Sequence, residues 1–164
     1  RLYGQKGLSC LALQLFEQAE SSFQRSLTLL DFESYRWRKP LYLCGLARLK
    51  MQQKDHDSAK GYLQEALQLA TPNQLQPLLL IALTDWVRLH EYRGQSIAQG
   101  ASWLQLTITH PASWHCYRLH AQKLYEALTK GWSQAQHTQA KEYALSQPLQ
   151  EHVSSLLNEI EKNL

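Results

Sequence analysis

Glu17–Leu27 reads EQAESSFQRSL and, 40 residues on, Asp57–Leu67 reads DSAKGYLQEAL. In each, a small residue (Ala19, Ala59) is followed four positions later by a bulky apolar one (Phe23, Leu63). Three positions after that comes another small one (Ser26, Ala66), and this spacing puts all three on one helical face. A third copy runs through Gln99, Trp103 and Leu106. The same period holds upstream, at Gly7, Ala47 and Val87 and at Tyr3, Leu43 and Leu83. A register kept at two places in every unit is the trace of stacked helical hairpins. In such a stack small residues let antiparallel helices approach, and Phe23, Leu63 and Trp103 fill the space between units.

The remainder of the chain agrees with an all-α reading. Leu, Gln, Ala, Glu and Lys, all good helix formers, dominate, while Val and Ile are few. The pattern predicts helices at about 2–14, 17–31, 39–53, 56–70, 74–93, 96–109, 112–130, 134–144 and 148–162. Pro40, Pro72, Pro77, Pro111 and Pro148 fall near the predicted breaks, and each can start a helix because a first-turn N–H is unbonded in any case. Short polar segments mark the turn inside each unit: Phe16 to Gln18, Gln53 to Asp57 and Arg93 to Ser96. Asp55 or Asp57 is available as an N-cap, and Gly94 suits a left-handed helix end. The expected architecture is a right-handed superhelix of antiparallel helical hairpins with a C-terminal capping helix. One domain spans 1–164, with repeats at about 1–38, 39–73 and 74–110 and a degenerate repeat and cap over 111–164. Gln99, standing where a small residue belongs, marks the place where regularity should fail.

Composition narrows the function classes. With 164 residues, 44% of them hydrophobic and 19% charged, the chain is long enough for one sizeable core. The longest apolar stretch, Leu78 to Leu83, is far below the roughly 18 residues that span a bilayer, so no membrane segment is expected. The first ten residues (RLYGQKGLSC) carry no uninterrupted hydrophobic run of the signal-peptide kind. Three scattered cysteines, Cys10, Cys44 and Cys116, without a CxxC pair fit a reducing, cytoplasmic setting. A net charge of +3 is too small to imply a nucleic-acid binder by itself. The chain begins with Arg and holds a single Met, at position 51, which is expected of a fragment of a longer protein.

Tyr3, Gly7, Ala19, Phe23 and Ser26, with Leu43, Ala47, Ala59, Leu63 and Ala66, resemble the tetratricopeptide repeat: bulky and small on the first helix, then small, bulky, small on the second. That repeat is usually about 34 residues, so each unit here carries about six extra, and such longer units are similar to those of bacterial signal-transducing ATPases and maltose-activator-like regulators. Downstream, Trp103-Leu104-Gln105-Leu106, His110-Pro111-Ala112-Ser113 and a helix through Ala121, Leu124, Tyr125 and Leu128 resemble the C-terminal end of large bacterial regulators with an NB-ARC or STAND ATPase core. Ala144-Leu145-Ser146 and the helix through Val153, Leu156, Leu157 and Ile160 continue that likeness. Glu142 and Tyr143 depart from it, standing where that ending usually shows Gly and Arg.

The resemblance implies a non-catalytic sensor or scaffold module, the C-terminal part of a bacterial signal-transduction ATPase or transcriptional regulator, with ATPase and DNA-binding domains upstream. Its partner would be a protein, a peptide or a small inducer. The alternative is a free-standing adaptor joining two proteins.

Few constellations suggest chemistry, and no catalytic residue, cofactor or metal is expected. There is no Gly-rich loop ending in Lys-Ser or Lys-Thr, and the nearest string to GxSxG, Gly94 to Gly100, has the wrong spacing. Cys116 and His120 lie four apart on one helical face, but a stable zinc site needs further ligands. The other reading places Cys116 in the core, with His90, His110, His115 and His120 as partly exposed helix residues. Tyr35-Arg36-Trp37-Arg38-Lys39 interleaves aromatics with cations; it is either a solvated loop whose Trp packs on a neighbouring unit or a contact for bases or an acidic protein.

In stacked hairpins the first helix of each unit lines a concave groove. The helical wheel turns Leu8, Leu11 and Ala12, then Leu41, Cys44, Arg48 and Gln52, then Thr84, Arg88, Glu91 and Tyr92 toward it. Arg48 and Arg88, 40 apart, occupy equivalent sites, where they either stay solvated or hold a carboxylate or phosphate bidentately. In the ligand-holding case, changing both to Ala should weaken binding and leave helix content intact. The last helix, with Leu149, Val153, Leu156, Leu157 and Ile160 on one stripe, either caps the array or mediates self-association.

Overall fold

Helix α1 (Leu2–Ala12) pairs with α2 (Phe16–Leu29), α3 (Lys39–Gln52) with α4 (His56–Ala70), and α5 (Gln76–Tyr92) with α6 (Gly100–Thr109). They are followed by α7 (His115–Leu128), α8 (Gln134–Leu145) and α9 (Leu149–Lys162). A computed structural model describes residues 2–29, 37–95 and 99–162, and among these there is no strand. Tyr35, Arg36 and Ser96, named above, lie outside the described residues.

The period is written into the backbone as well as the side chains. Gln14 (φ 59°), Lys54 (φ 63°) and Gly94 (φ 67°) are left-handed, at steps of 40 residues. Each ends a first helix with the same pair of bonds. The N–H of Leu15, Asp55 and Gln95 donates to the carbonyl of Cys10, Lys50 and His90 (2.8, 2.9 and 2.9 Å), and the left-handed residue donates to Leu11, Met51 and Glu91 (3.1, 3.1 and 2.9 Å). This double bond, six-to-one and five-to-two, satisfies orphan carbonyls of the helix end. Of the two candidate caps for α4, Asp55 does the work, accepting from the Ser58 N–H at 3.2 Å; Asp57 instead takes Arg93 Nη2 at 2.6 Å.

The repeat positions form the core. Ala19, Phe23, Ala59, Leu63 and Ala66 are fully buried, as is Trp103 to within 1%; burying one such large side chain contributes about 1.5–3 kcal/mol. Phe23 needs room from two directions. A Cβ at Gly7 would lie 2.7 Å from its ring and one at Gly45 2.5 Å from it, while Tyr42 lies over Gly4 in the same way. Glycines 4 and 45 therefore serve the close approach of α1, α2 and α3 alongside Gly7. Helix α5 lies between the second hairpin and the elements that follow it and is buried nearly all round, from Leu78 through Leu83 and again at Trp86, Val87 and Leu89.

The first helices neighbour one another in series: α1 touches α3, α3 touches α5, and α5 touches α7. After α6 the pattern changes, since α8 packs on α6 and α9 returns to α4 and α5. Expected as a cap, α9 covers the flank of the second and third hairpins, burying Leu149, Val153, Leu156 and Ile160 within the chain. A polar hinge joins α9 to α8: His152, 1% exposed, is 3.3 Å from the Ala144 carbonyl through Nε2 and stacks edge-on to Tyr143.

Candidate functional site

Leu8, Leu11 and Ala12 of α1, Arg48, Met51 and Gln52 of α3, Arg88 and Tyr92 of α5, and His120 of α7 line one groove, together with Gln14 in the first turn. Its volume is about 360 Å³. Helices α1, α3 and α5 contribute because the 40-residue register brings Leu8, Arg48 and Arg88 to the same side, while α7 adds His120 from outside that register. A shallower hollow continues from it along Arg88, Glu91 and Tyr92. Gln52 and Glu91 are exposed, and Tyr92 keeps 53% of its surface open.

Three residues expected in the groove, Leu41, Cys44 and Thr84, do not reach it. Cys44 is 1% exposed and Thr84 0%. Thr84 turns toward α6, donating to the Leu80 carbonyl (2.9 Å) and meeting the Thr107 hydroxyl at 3.1 Å. Cys44 is held as a neutral thiol, since burial and then the nearby Asp85 carboxylate push its pKa far up. Leu41 packs between the two core clusters. The physical reason is common to these positions: α3 and α5 each have neighbours on both sides, so the strip of surface left to the groove is narrower than an amphipathic wheel assumes.

The two arginines are not equivalent. Asp85, fully buried, takes Arg48 Nε on both oxygens, at 2.9 and 2.8 Å, and Arg88 Nη1 on Oδ1 at 3.3 Å. Arg48 also donates through Nη1 to the Tyr117 hydroxyl (3.3 Å) and lies over the Tyr117 ring, 4.9 Å from its centre. Its Nη2 is buried and has no hydrogen-bond partner. Burial opposes the charge on Arg48, but Asp85, with smaller help from Tyr117 and Cys44, outweighs it, so the guanidinium stays charged throughout the accessible pH range. Burial also raises the Tyr117 phenol, with Arg48 working the other way. A buried charge pair of this kind costs desolvation on both sides and persists when its geometry and extra hydrogen bonds compensate.

Asp85 was missing from the sequence reading, and so was Tyr117. A signal existed for the first: Asp85 is the lone acid inside the apolar run from Leu78 to Val87, and a charge inside a buried helix needs a partner. His120, considered above as a metal ligand, instead faces the groove and stands edge-on to Tyr117. Its pKa is lowered, first by burial and then by Arg88 and Arg48. Cys116, expected in the core, is exposed instead, and among the described residues no three His, Cys, Asp or Glu side chains come together as a metal site would require. In the aromatic and cationic stretch, Arg38 lies over the Trp37 ring at 4.7 Å and Lys39 pairs with Glu65 at 2.9 Å. No described helix is long and apolar enough to cross a membrane.

Residues 41–73, which hold α3 and α4, match the tetratricopeptide repeat family model. The chain carries a tetratricopeptide-repeat region. Comparison with curated proteins and with solved structures found no match. Repeats of this family generally act as non-catalytic scaffolds that mediate protein–protein contact, and the groove found here runs along the first helices, α3 among them.

Proposed function

We propose that the chain is a non-catalytic interaction module whose groove, between the first helices of successive hairpins, holds a segment of a partner protein. The observation that carries this reading is the groove itself: four helices contribute to its lining, with Tyr92 half-open at its rim and Leu8 and Ala12 supplying apolar surface above the nearly buried Leu11 and Met51. An exposed aromatic beside an apolar floor is the usual anchor of a binding surface. A segment bridging α1, α3, α5 and α7 also favours one spacing of the hairpins over others, which is how binding at such a groove is relayed. Selection from a random dodecapeptide library tests it. Binders should emerge that Tyr92→Ala and Gln52→Ala both weaken; binders indifferent to both changes would refute the groove.

The finer reading is that this module is the sensor arm of a cytoplasmic bacterial signal-transduction ATPase or transcriptional regulator, supported by the resemblance of Trp103 to Leu106, His110 to Ser113 and Ala144 to Ser146. A Walker motif encoded upstream of Arg1 is the expected finding. An upstream coding sequence without one would favour the adaptor.

A further inference from the structure

Away from the groove, the 40-residue register breaks in a way that opens a second hollow. Gln99, at the start of α6, and Ser102 within it stand where the second hairpin has Ala59 and Tyr62. The third hairpin thus loses an aromatic ring and gains an amide at one point of its surface. With Trp132 in the turn before α8, and with Gln136, Gln139 and Tyr143 of α8, these two residues line a cavity of about 260 Å³ that shares no residue with the groove. None of its lining side chains is charged. A charged ligand would give up hydration there and meet no counter-charge, so the cavity suits a neutral one. Ser102 is 5% exposed, and its hydroxyl, like the amides of Gln99 and Gln139, makes no hydrogen bond among the described residues, so its partner has to come from the cavity. Gln136 Oε1 accepts from the Ser133 N–H (2.8 Å) and Oγ (3.0 Å), which leaves Nε2 to donate. The Gln99 and Gln139 amides each hold a donor and an acceptor side by side in one plane, a pattern that meets the edge of a base bidentately. Both rings are held in place: Trp132 lies 5.8 Å from the His137 ring and Tyr143 lies 5.5 Å from that of His152. Flat ligands stack on such rings.

We propose that this cavity binds a purine or pyrimidine base, carried as a free nucleoside, with its ring in the space that Ser102 leaves open and its edge on the amides of Gln99 and Gln139. A nucleoside fits better than a nucleotide or a nucleic-acid strand because no Lys or Arg lines the cavity to meet a phosphate. The site stands apart from the groove, and neither reading depends on the other.

The test titrates the intact chain with adenosine, guanosine, cytidine and uridine by isothermal calorimetry, with glucose as a neutral polyol and the monophosphate of the best binder as its charged counterpart. At least one nucleoside should bind with a stoichiometry of one per chain, and its monophosphate should bind more weakly. Gln139→Leu removes one amide from an exposed position and should weaken that nucleoside about tenfold or more, the worth of one bidentate pair. Ser102→Tyr restores the tyrosine of the second hairpin, fills the cavity and should abolish binding, with melting temperature recorded for both variants. If Ser102→Tyr unfolds the chain, Gln139→Leu decides alone. No binding by any nucleoside at about 1 mM, the weak end of specific affinity, would overturn the proposal, as would binding that neither substitution weakens. Glucose binding as tightly as the best nucleoside would overturn the flat ligand, and a monophosphate binding more tightly would overturn the neutral one.

Discussion

The second and third hairpins occupy the same frame and differ at the positions that matter most. Gly45 in the second corresponds to Asp85 in the third, Arg48 to Arg88, and Lys54 to Gly94, each pair 40 residues apart. On α3 the position is emptied so that Phe23 of the first hairpin can lie against the backbone; on α5 it is filled by a carboxylate that reaches Arg48 of the second. One interface is closed by an aromatic ring in a glycine gap and the next by a buried ion pair. The register fixes where a residue stands, while the neighbouring hairpin decides what is useful there.

The comparison breaks most severely at the ion pair. Asp85→Ala leaves Arg48 buried against Tyr117 with its main partner gone, and unfolding in urea should show a loss of about 3–5 kcal/mol. For the same reason the double change of Arg48 and Arg88 to Ala does not isolate binding: Arg48→Ala strands Asp85, so it lowers stability together with affinity. The equivalent test of the second hairpin is Gly45→Ala, whose new Cβ falls 2.5 Å from the fully buried Phe23 ring. Displacing that ring should cost about 1–3 kcal/mol, read from the same denaturation curve.

Turn positions sharpen the comparison at smaller scale. Gly94→Ala meets no atom within 4 Å, so its expected loss, about 1 kcal/mol, is the strain of a left-handed alanine alone. Lys54→Gly relieves that same strain in the second hairpin. The added freedom of glycine in the unfolded chain offsets about half of the relief, and the midpoint of denaturation should rise by the equivalent of about 0.5 kcal/mol. Arg88→Ala is the contrast to Arg48: its side chain is 23% exposed and its contact with Asp85 is longer, so stability should change by less than about 1 kcal/mol while groove binding falls.

The sequence made the hairpins legible because small and bulky residues repeat at steps of 40; of the left-handed turn residues that keep the same step, only Gly94 was readable there. It also placed Leu8, Leu11, Ala12, Arg48, Gln52, Arg88 and Tyr92 on the side that lines the groove and its continuing hollow. Thr84 and Cys44 were misplaced because a helix wheel does not count how many neighbours an element has, and α5 has them nearly all round. The pairing of Asp85 with Arg48 was out of reach for a related reason: the two lie 37 residues apart on different helices, where no local periodicity links them. The stripe of α9 announced an amphipathic helix, but stripes carry no address, and α4 and α5 as its seat came only with the fold.

A double-mutant cycle on Arg48→Met and Asp85→Leu, measured by urea unfolding of the intact chain, tests most directly whether Asp85 anchors Arg48, the one arginine it holds through both carboxylate oxygens. The structure predicts that each single change is strongly destabilising, that the pair together is much milder than their sum, and that the coupling is about 2 kcal/mol or more. Additive losses, with coupling near zero, would mean that Asp85 does not hold Arg48 and that the two arginines stand alike.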